Sequence, residues 1–172
     1  MAASDSNNQN LPNFNRRDED KMALGHTPST RSAELVAGAR AILMNTPETT
    51  ALGSMSGRIV ARVLTETGGK SNILWFFPAR MMAIETLTQQ LMPNKSELLL
   101  VDVAAGFSPR GLHMAREYPQ ARVIEIDLPD VVAEKKLRLK RGRIPLPDNL
   151  SWIEADLGKV NLQDVLDGQQ VD

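Results

Sequence analysis

The spacing of apolar positions changes once along the chain, near residue 97. Before that point the spacing is helical. Leu35, Val36, Ala39, Ile42 and Leu43 fall on one face of a segment over residues 32–44, which Thr27-Pro28 or Ser29 can cap. Asn45-Thr46-Pro47 stops it. A second helix is predicted over residues 54–67, with Ile59, Val60, Val63 and Leu64 on one face and Gly68-Gly69 beyond its end. A third is predicted over residues 78–92, with Pro78 in its first turn and Pro93 after its stop. After Glu97 the apolar residues come in short continuous runs. Leu98-Leu99-Leu100-Val101-Asp102-Val103, Ala121-Arg122-Val123-Ile124-Glu125-Ile126-Asp127 and Leu150-Ser151-Trp152-Ile153-Glu154-Ala155 suit strands buried on both faces. Helices fit between and after them, over 109–118, 129–141 and 162–166. Strands alternating with helices of this length imply right-handed parallel βαβ units. The expected class is α/β: a Rossmann-like half-sheet of three parallel strands, preceded by a helical section.

Residues 1–24 read as a flexible arm, because Leu11 and Phe14 stand isolated among Ser, Asn, Gln, Arg and Asp and bury too little to offset ordering entropy. Residues 25–95 then form an N-terminal helical cap, and residues 96–172 a partial cofactor-binding domain. The 172 residues are 42% hydrophobic, enough for a sizeable core. Lys+Arg 20 against Asp+Glu 21 leaves a net charge of -1, which argues against nucleic-acid and anionic-membrane partners. Without cysteine there is no disulfide, thiol nucleophile or thiolate metal site. His26 and His113 are too few for a multi-histidine zinc centre, so no metal is expected. No apolar run is long enough to span a membrane, and no secretory core precedes the first helix, so a soluble, cytoplasmic protein is expected.

In open α/β sheets ligands sit beyond the carboxyl ends of the strands. Three candidates lie there. The first is the turn Ala104-Ala105-Gly106-Phe107-Ser108-Pro109-Arg110-Gly111. Gly106 allows a positive φ, Ser108 can cap the helix, and the helix N-terminus with Arg110 favours a carboxylate or phosphate. A tight connection without a ligand is the plain alternative. The second is Asp127, 21 residues after Gly106, where a carboxylate can accept from ribose hydroxyls or cap the next helix. The third is Asp156, which can accept from an adenine amino group or merely cap a turn. Together the three describe an adenosine site. The dinucleotide fingerprint G-x-G-x-x-G is not met, since Ala104 holds its first position and Ser108-Pro109-Arg110 is bulkier. A ligand with a carboxylate and no diphosphate fits better than a nicotinamide cofactor, and S-adenosyl-L-methionine is such a ligand.

The run from Val101 to Gly111, followed by Val123-Ile124-Glu125-Ile126-Asp127-Leu128-Pro129-Asp130-Val131-Val132 and Lys135, resembles the leucine carboxyl methyltransferase family. The family pattern is an acidic residue, then L-G-A-G-F-D-T-R, then E-V-D-L-P-E-V with a following Lys. The resemblance implies a class I methyltransferase fold, S-adenosyl-L-methionine as cofactor, and O-methylation of a carboxyl or hydroxyl acceptor. It implies that Arg110 pairs with the methionyl carboxylate and that Ala104, Gly106 and Phe107 line the methionine portion. Asp127, with Leu128 beside it, would hold the ribose. Asp156 and Leu157 would face the adenine, and Asp102 would orient the amino-acid end. Ala104 in place of the first Gly and Ser108-Pro109 in place of Asp-Thr depart from the pattern and bear on cofactor binding. No catalytic residue is assigned.

The last residues, Val171-Asp172, stand where a fourth strand would begin. The sheet is therefore expected to be completed by further polypeptide, by a complementary chain or by a second copy. A non-catalytic interaction subunit with a methyltransferase-like fold is the competing reading. The basic run Lys135-Lys136-Leu137-Arg138-Leu139-Lys140-Arg141-Gly142-Arg143 reads as a solvated helix face. Ile73-Leu74-Trp75-Phe76-Phe77 reads as core or as a lid over the cofactor, and Met81, Met82 and Met92 as packing. His113 is expected to be exposed, and His26 is a candidate acceptor-side base.

Overall fold

The structure is a computed structural model that describes residues 28–67, 73–91 and 98–168. The proposed arm, His26, Thr27, Gly68-Gly69, Met92, Pro93, Glu97 and Val171-Asp172 lie outside the described residues.

Among the described residues the helical section contains four helices. Helix α1 (Pro28–Leu43) starts at Pro28, whose fixed φ suits a first turn, rather than at Ser32. Asn45-Thr46-Pro47 ends α1 but also opens α2 (Pro47–Leu52), which the apolar pattern does not predict. Thr46 caps it reciprocally: its Oγ1 accepts from the Thr49 amide at 3.2 Å, and Thr49 Oγ1 accepts from the Thr46 amide at 3.0 Å. Leu52, at its end, is fully buried.

Helix α3 (Met55–Thr67) reverses the expected face. Gly57 and Ala61 point inward, and a Cβ on Gly38 of α1 would overlap the Gly57 backbone, so the two helices cross at close range through small residues. The larger Ile59, Val60, Val63 and Leu64 would wedge this crossing apart, and they lie outward, about half exposed. Helix α4 (Ile73–Leu91) begins ahead of Pro78, which sits buried inside it. Phe77 has a contact to bury against Ala39 and Ala61, so the apolar run and not the proline sets the start. Trp75 and Phe76 remain exposed.

Strands β1 (Leu98–Val103), β2 (Ala121–Asp127) and β3 (Leu150–Glu154) form one parallel sheet in the order β1-β2-β3. Leu100 pairs with Val123 and Val123 with Leu150. These three point to one face with Trp152, against Leu112, Met114 and Ala115 of α5 (Arg110–Glu117) and Val131 and Leu139 of α6 (Pro129–Arg141). Full burial of a side chain such as Leu112, Met114, Val123 or Leu139 contributes about 1.5–3 kcal/mol. The other face carries Ile124, Ile126 and Ile153, packed with Val165 and Leu166 of the short α7 (Leu162–Asp167). The chain has therefore crossed to the opposite side of the sheet after β3. This is the expected α/β, Rossmann-like half-sheet preceded by helices.

Helix α6 joins the helical section to the sheet. Arg138 donates to Glu34 Oε1 and to the Leu52 carbonyl, both at 2.8 Å, and its guanidinium lies 4.2 Å from the centroid of the Phe107 ring. Lys135 is 1% exposed and pairs with buried Glu125 at 2.7 Å. The basic run is thus no uniform solvated face: Lys135 and Arg138, three residues apart on one helix, share the inward side with Leu139. Among the described residues no helix is long and apolar enough to cross a membrane, and no group of three His, Cys, Asp or Glu stands where it could hold a metal ion.

Candidate functional site

The chain leaves β1 at Val103 and turns through Ala104 and Gly106, both at φ +53. The second acidic candidate anchors this turn. Asp127 Oδ2 accepts from the Gly106 amide at 2.6 Å, and its Oδ1 accepts from the Leu128 amide at 2.8 Å. Its carboxylate thus holds the loop instead of capping α6, where Leu128 is the cap residue and makes no side-chain bond. Phe107 drops into the core below the loop, 2% exposed. Ser108 is buried, and its Oγ accepts from the Arg110 amide at 3.3 Å, satisfying one free N–H of the α5 first turn.

Asp102 and Arg110 form a bidentate pair. Arg110 Nε donates to Asp102 Oδ2 at 3.1 Å and its Nη2 donates to Oδ1. Asp102 lies on the last turn of the pleat in β1 with its carboxylate almost fully buried, and the guanidinium covers it. Such a fork offsets the charge of the arginine that the family resemblance pairs with the methionyl carboxylate.

Two cavities meet at the loop. One, of about 360 Å³, is walled by Arg40, Arg80, Asp102, Ala104, Ser108 and Arg110, with Met81, Ile84, Leu100 and Met114 as its apolar part. The other, of about 410 Å³, is walled by Ala33, Val36, Gly106, Phe107, Asp127, Leu128 and Val131. Arg40, Ala104 and Ala105 line both. Each volume lies in the range of about 300–1,000 Å³ usual for small-molecule sites. Asp102, Ala104, Gly106, Phe107, Arg110, Asp127 and Leu128 are therefore brought together. Asp156 and Leu157 line neither cavity. Asp156 pairs with Lys159 at 2.8 Å and accepts from the Gly158 amide at 3.1 Å. The hydrogen bond from Lys159 holds its carboxyl below the ordinary range. Leu157 packs with the Ile124–Ile126–Ile153 cluster.

Arg40 and Arg80 are the site residues that the sequence reading lacks. Their one sequence signal is a cation set among apolar and small neighbours, Ala39-Arg40-Ala41 and Ala79-Arg80-Met81. Burial, then the nearby Arg110 and Arg80 guanidinium groups, push Arg40 down to about 10. Arg40 Nε is buried and has no hydrogen-bond partner among the described residues. Beside this cavity, His113 Nδ1 lies 3.1 Å from Glu85 Oε1 and ties α5 to α4, so His113 is partly buried and not a free surface group.

A parallel half-sheet with a turn at the end of β1 and an acid at the end of β2 is consistent with the half-sheet of a Rossmann-like methyltransferase. The profile of the leucine carboxyl methyltransferase family matches residues 33–172, and the chain belongs to that family. Its members are S-adenosyl-L-methionine-dependent methyltransferases. No curated protein matches the chain in a sequence comparison. The residues present fit the cofactor: Asp127 retains lone pairs for ribose hydroxyls, and the polar cavity beside it offers cations to a carboxylate.

Proposed function

We propose that this chain is the cofactor-binding part of a cytoplasmic S-adenosyl-L-methionine-dependent O-methyltransferase whose acceptor is a small molecule or another carboxyl- or hydroxyl-bearing group. The observation that supports this reading most is the junction of two cavities across the ends of β1 and β2, one cationic and one with the Asp127 carboxylate in its wall. The bound cofactor supplies an electrophilic methyl group, and the protein supplies alignment. Asp127 and Leu128 would hold the ribose, and the 104–107 turn would lie against the methionine portion. Asp102, fixed by Arg110, would face the amine. The adenine would extend past Leu128 toward the β3 end, where Asp156 and Leu157 reach it only if the turn that holds Lys159 rearranges. Transfer of a labelled methyl group from S-adenosyl-L-methionine to carboxylic-acid and phenol acceptors tests the reading. Product ester or ether supports it, while a folded protein that binds no cofactor removes it.

A second reading, an interaction subunit with a methyltransferase-like fold, is favoured by the edge of β1, which no strand among the described residues covers. Leu99 and Val103 are exposed there, whereas parallel strands ordinarily have both neighbours and both faces covered. The occupant we propose is a parallel strand from a complementary polypeptide. Native mass measurement of the assembly tests this, and a lone 172-residue monomer with full methyl-transfer activity excludes it.

A further inference from the structure

The cavity that holds Asp127 has walls from two distant parts of the chain. Ala33 and Val36 of α1 form one, and Gly106 and Phe107 of the turn after β1 form the other. They approach closely: a Cβ on Gly106 would stand 3.9 Å from that of Ala33. The helix and the turn belong to different sections of the fold, so tertiary contacts must fix their spacing. One side chain reaches both walls. Arg138 of α6 is 10% exposed, and its Nη2 donates at 2.8 Å to Oε1 of Glu34, the neighbour of Ala33 on α1. Its Nη1 donates to the Leu52 carbonyl at the end of α2, also at 2.8 Å, and its Nε donates to Glu134 Oε1 at 2.7 Å. The guanidinium carbon lies 4.2 Å from the centroid of the Phe107 ring, which is itself buried. A guanidinium carries its donors in one rigid plane, so three acceptors and a ring against its face set both its position and its tilt. An ammonium at the same place would be a point charge with no plane to fork or stack.

Resting on the cofactor reading above, we propose that Arg138 is a positioning residue for the cofactor: it sets the width of the nucleoside cavity by holding α1 to the Phe107 turn. Arg138 lines neither cavity, so it acts through Glu34 on one wall and Phe107 on the other. Phe107 follows Gly106, whose amide Asp127 accepts at 2.6 Å, so a shift of the ring pulls on the peptide that orients this acid. A shift of α1 carries Ala33 and Val36 across the same space. With the guanidinium gone, the two walls move independently. The nucleoside must then order them as it binds, which lowers affinity without removing any contact to the ligand.

Calorimetric titration of the full chain with S-adenosylhomocysteine, and with 5′-methylthioadenosine, which keeps the nucleoside and lacks the amino-acid tail, tests this. The variants are Arg138→Lys, Arg138→Met, Glu34→Gln and Phe107→Leu, with Arg116→Met for comparison. Arg116 of α5 donates to Glu48 of α2 at 2.6 Å, so its loss loosens the helical section while leaving the contacts of Arg138 in place. The expected result is a loss of at least about tenfold in affinity for both ligands in the Arg138 variants, the same for each within about twofold, because the defect lies in the nucleoside cavity. Glu34→Gln, which keeps a neutral acceptor, should lose about threefold, and Arg116→Met should stay within about twofold of the wild type although its thermal midpoint falls. Phe107→Leu added to Arg138→Lys should cost little beyond the larger single loss, as two ends of one contact do. Wild-type affinity in folded Arg138→Lys overturns the proposal, as do additive losses in that double variant or a loss in Arg116→Met equal to that in Arg138→Lys. If the Arg138 variants do not fold, Glu34→Gln decides in their place, and wild-type affinity there overturns the proposal equally. A folded wild type that binds neither ligand overturns the cofactor reading itself, which is distinguishable from a failure of Arg138 alone.

Discussion

Asp127 and Gly106 meet across the carboxyl ends of β2 and β1, where the Asp127 carboxylate accepts the Gly106 amide at 2.6 Å. The same side chain takes the Leu128 amide at 2.8 Å, so one acid fixes the loop after β1 and the entry to α6 together. Asp127→Ala leaves both half-buried amides without that acceptor and is expected to lower stability by about 2–3 kcal/mol, since hydrogen bonds to charged groups contribute about 1.5–3 kcal/mol each and water replaces part of the loss. Chemical denaturation checks the figure. Asp127→Asn, which keeps one carbonyl acceptor, should lose less.

Ala104 holds φ +53 with a side chain that favours the right-handed region. Ala104→Gly relieves that strain, and its exposed Cβ leaves no cavity behind. A stability gain of about 0.5–1 kcal/mol is expected, less than the full left-handed penalty because glycine also loosens the unfolded chain. A thermal melt showing destabilisation by the glycine would falsify the strain assignment.

Glu125 Oε2 accepts from both Lys135 Nζ and Trp152 Nε1, each at 2.7 Å, in a site where the acid and lysine are each 1% exposed. Breaking one partner of a buried pair costs about 3–5 kcal/mol, so Lys135→Met alone should destabilise the fold strongly. The double variant Glu125→Met with Lys135→Met should recover much of the loss, leaving chiefly the unpaired Trp152 N–H. Equilibrium unfolding of the two variants and the wild type gives the comparison.

Glu48 is pushed up by burial, but the hydrogen bond and charge of Arg116, at 2.6 Å, outweigh that and leave it below the ordinary carboxylate range. A lowered folded value means the contact stabilises above the unfolded value, near 4.5, and is lost as pH falls through the folded one. Arg116→Met should therefore be less stable than wild type at neutral pH. The gap between their thermal midpoints should close as the buffer is taken from about pH 6 to about pH 3.

The strands were legible because continuous apolar runs such as Leu98-Leu99-Leu100-Val101 and Val123-Ile124 have few other uses, and the structure places all three strands at or within a residue of the positions the runs mark. The helical faces were less so. Apolar periodicity alone pointed Ile59 and Val63 inward, whereas close contact at Gly38 and Gly57 decides which side of α3 meets α1. The run Asn45-Thr46-Pro47 marks a stop, and only the reciprocal bonds of Thr46 with Thr49 show that it also starts α2. At the site, Gly106, Asp127 and Arg110 stood out through their spacing along contiguous strands and loops. Arg40 did not, because its place depends on how α1 folds back over a sheet that begins more than fifty residues later, a relation no local pattern records. Asp156 had the right strand end, but its carboxylate is taken by the nearer Lys159.

The most direct examination of the cofactor site is a crystal structure of the chain grown with S-adenosylhomocysteine. Ribose hydroxyls on Asp127 and the amino-acid end in the cavity between Arg40 and Asp102 are the expected arrangement. Ligand density on any other face of the sheet, or a nucleoside bound with Asp127 still facing only the Gly106 and Leu128 amides, is incompatible with it.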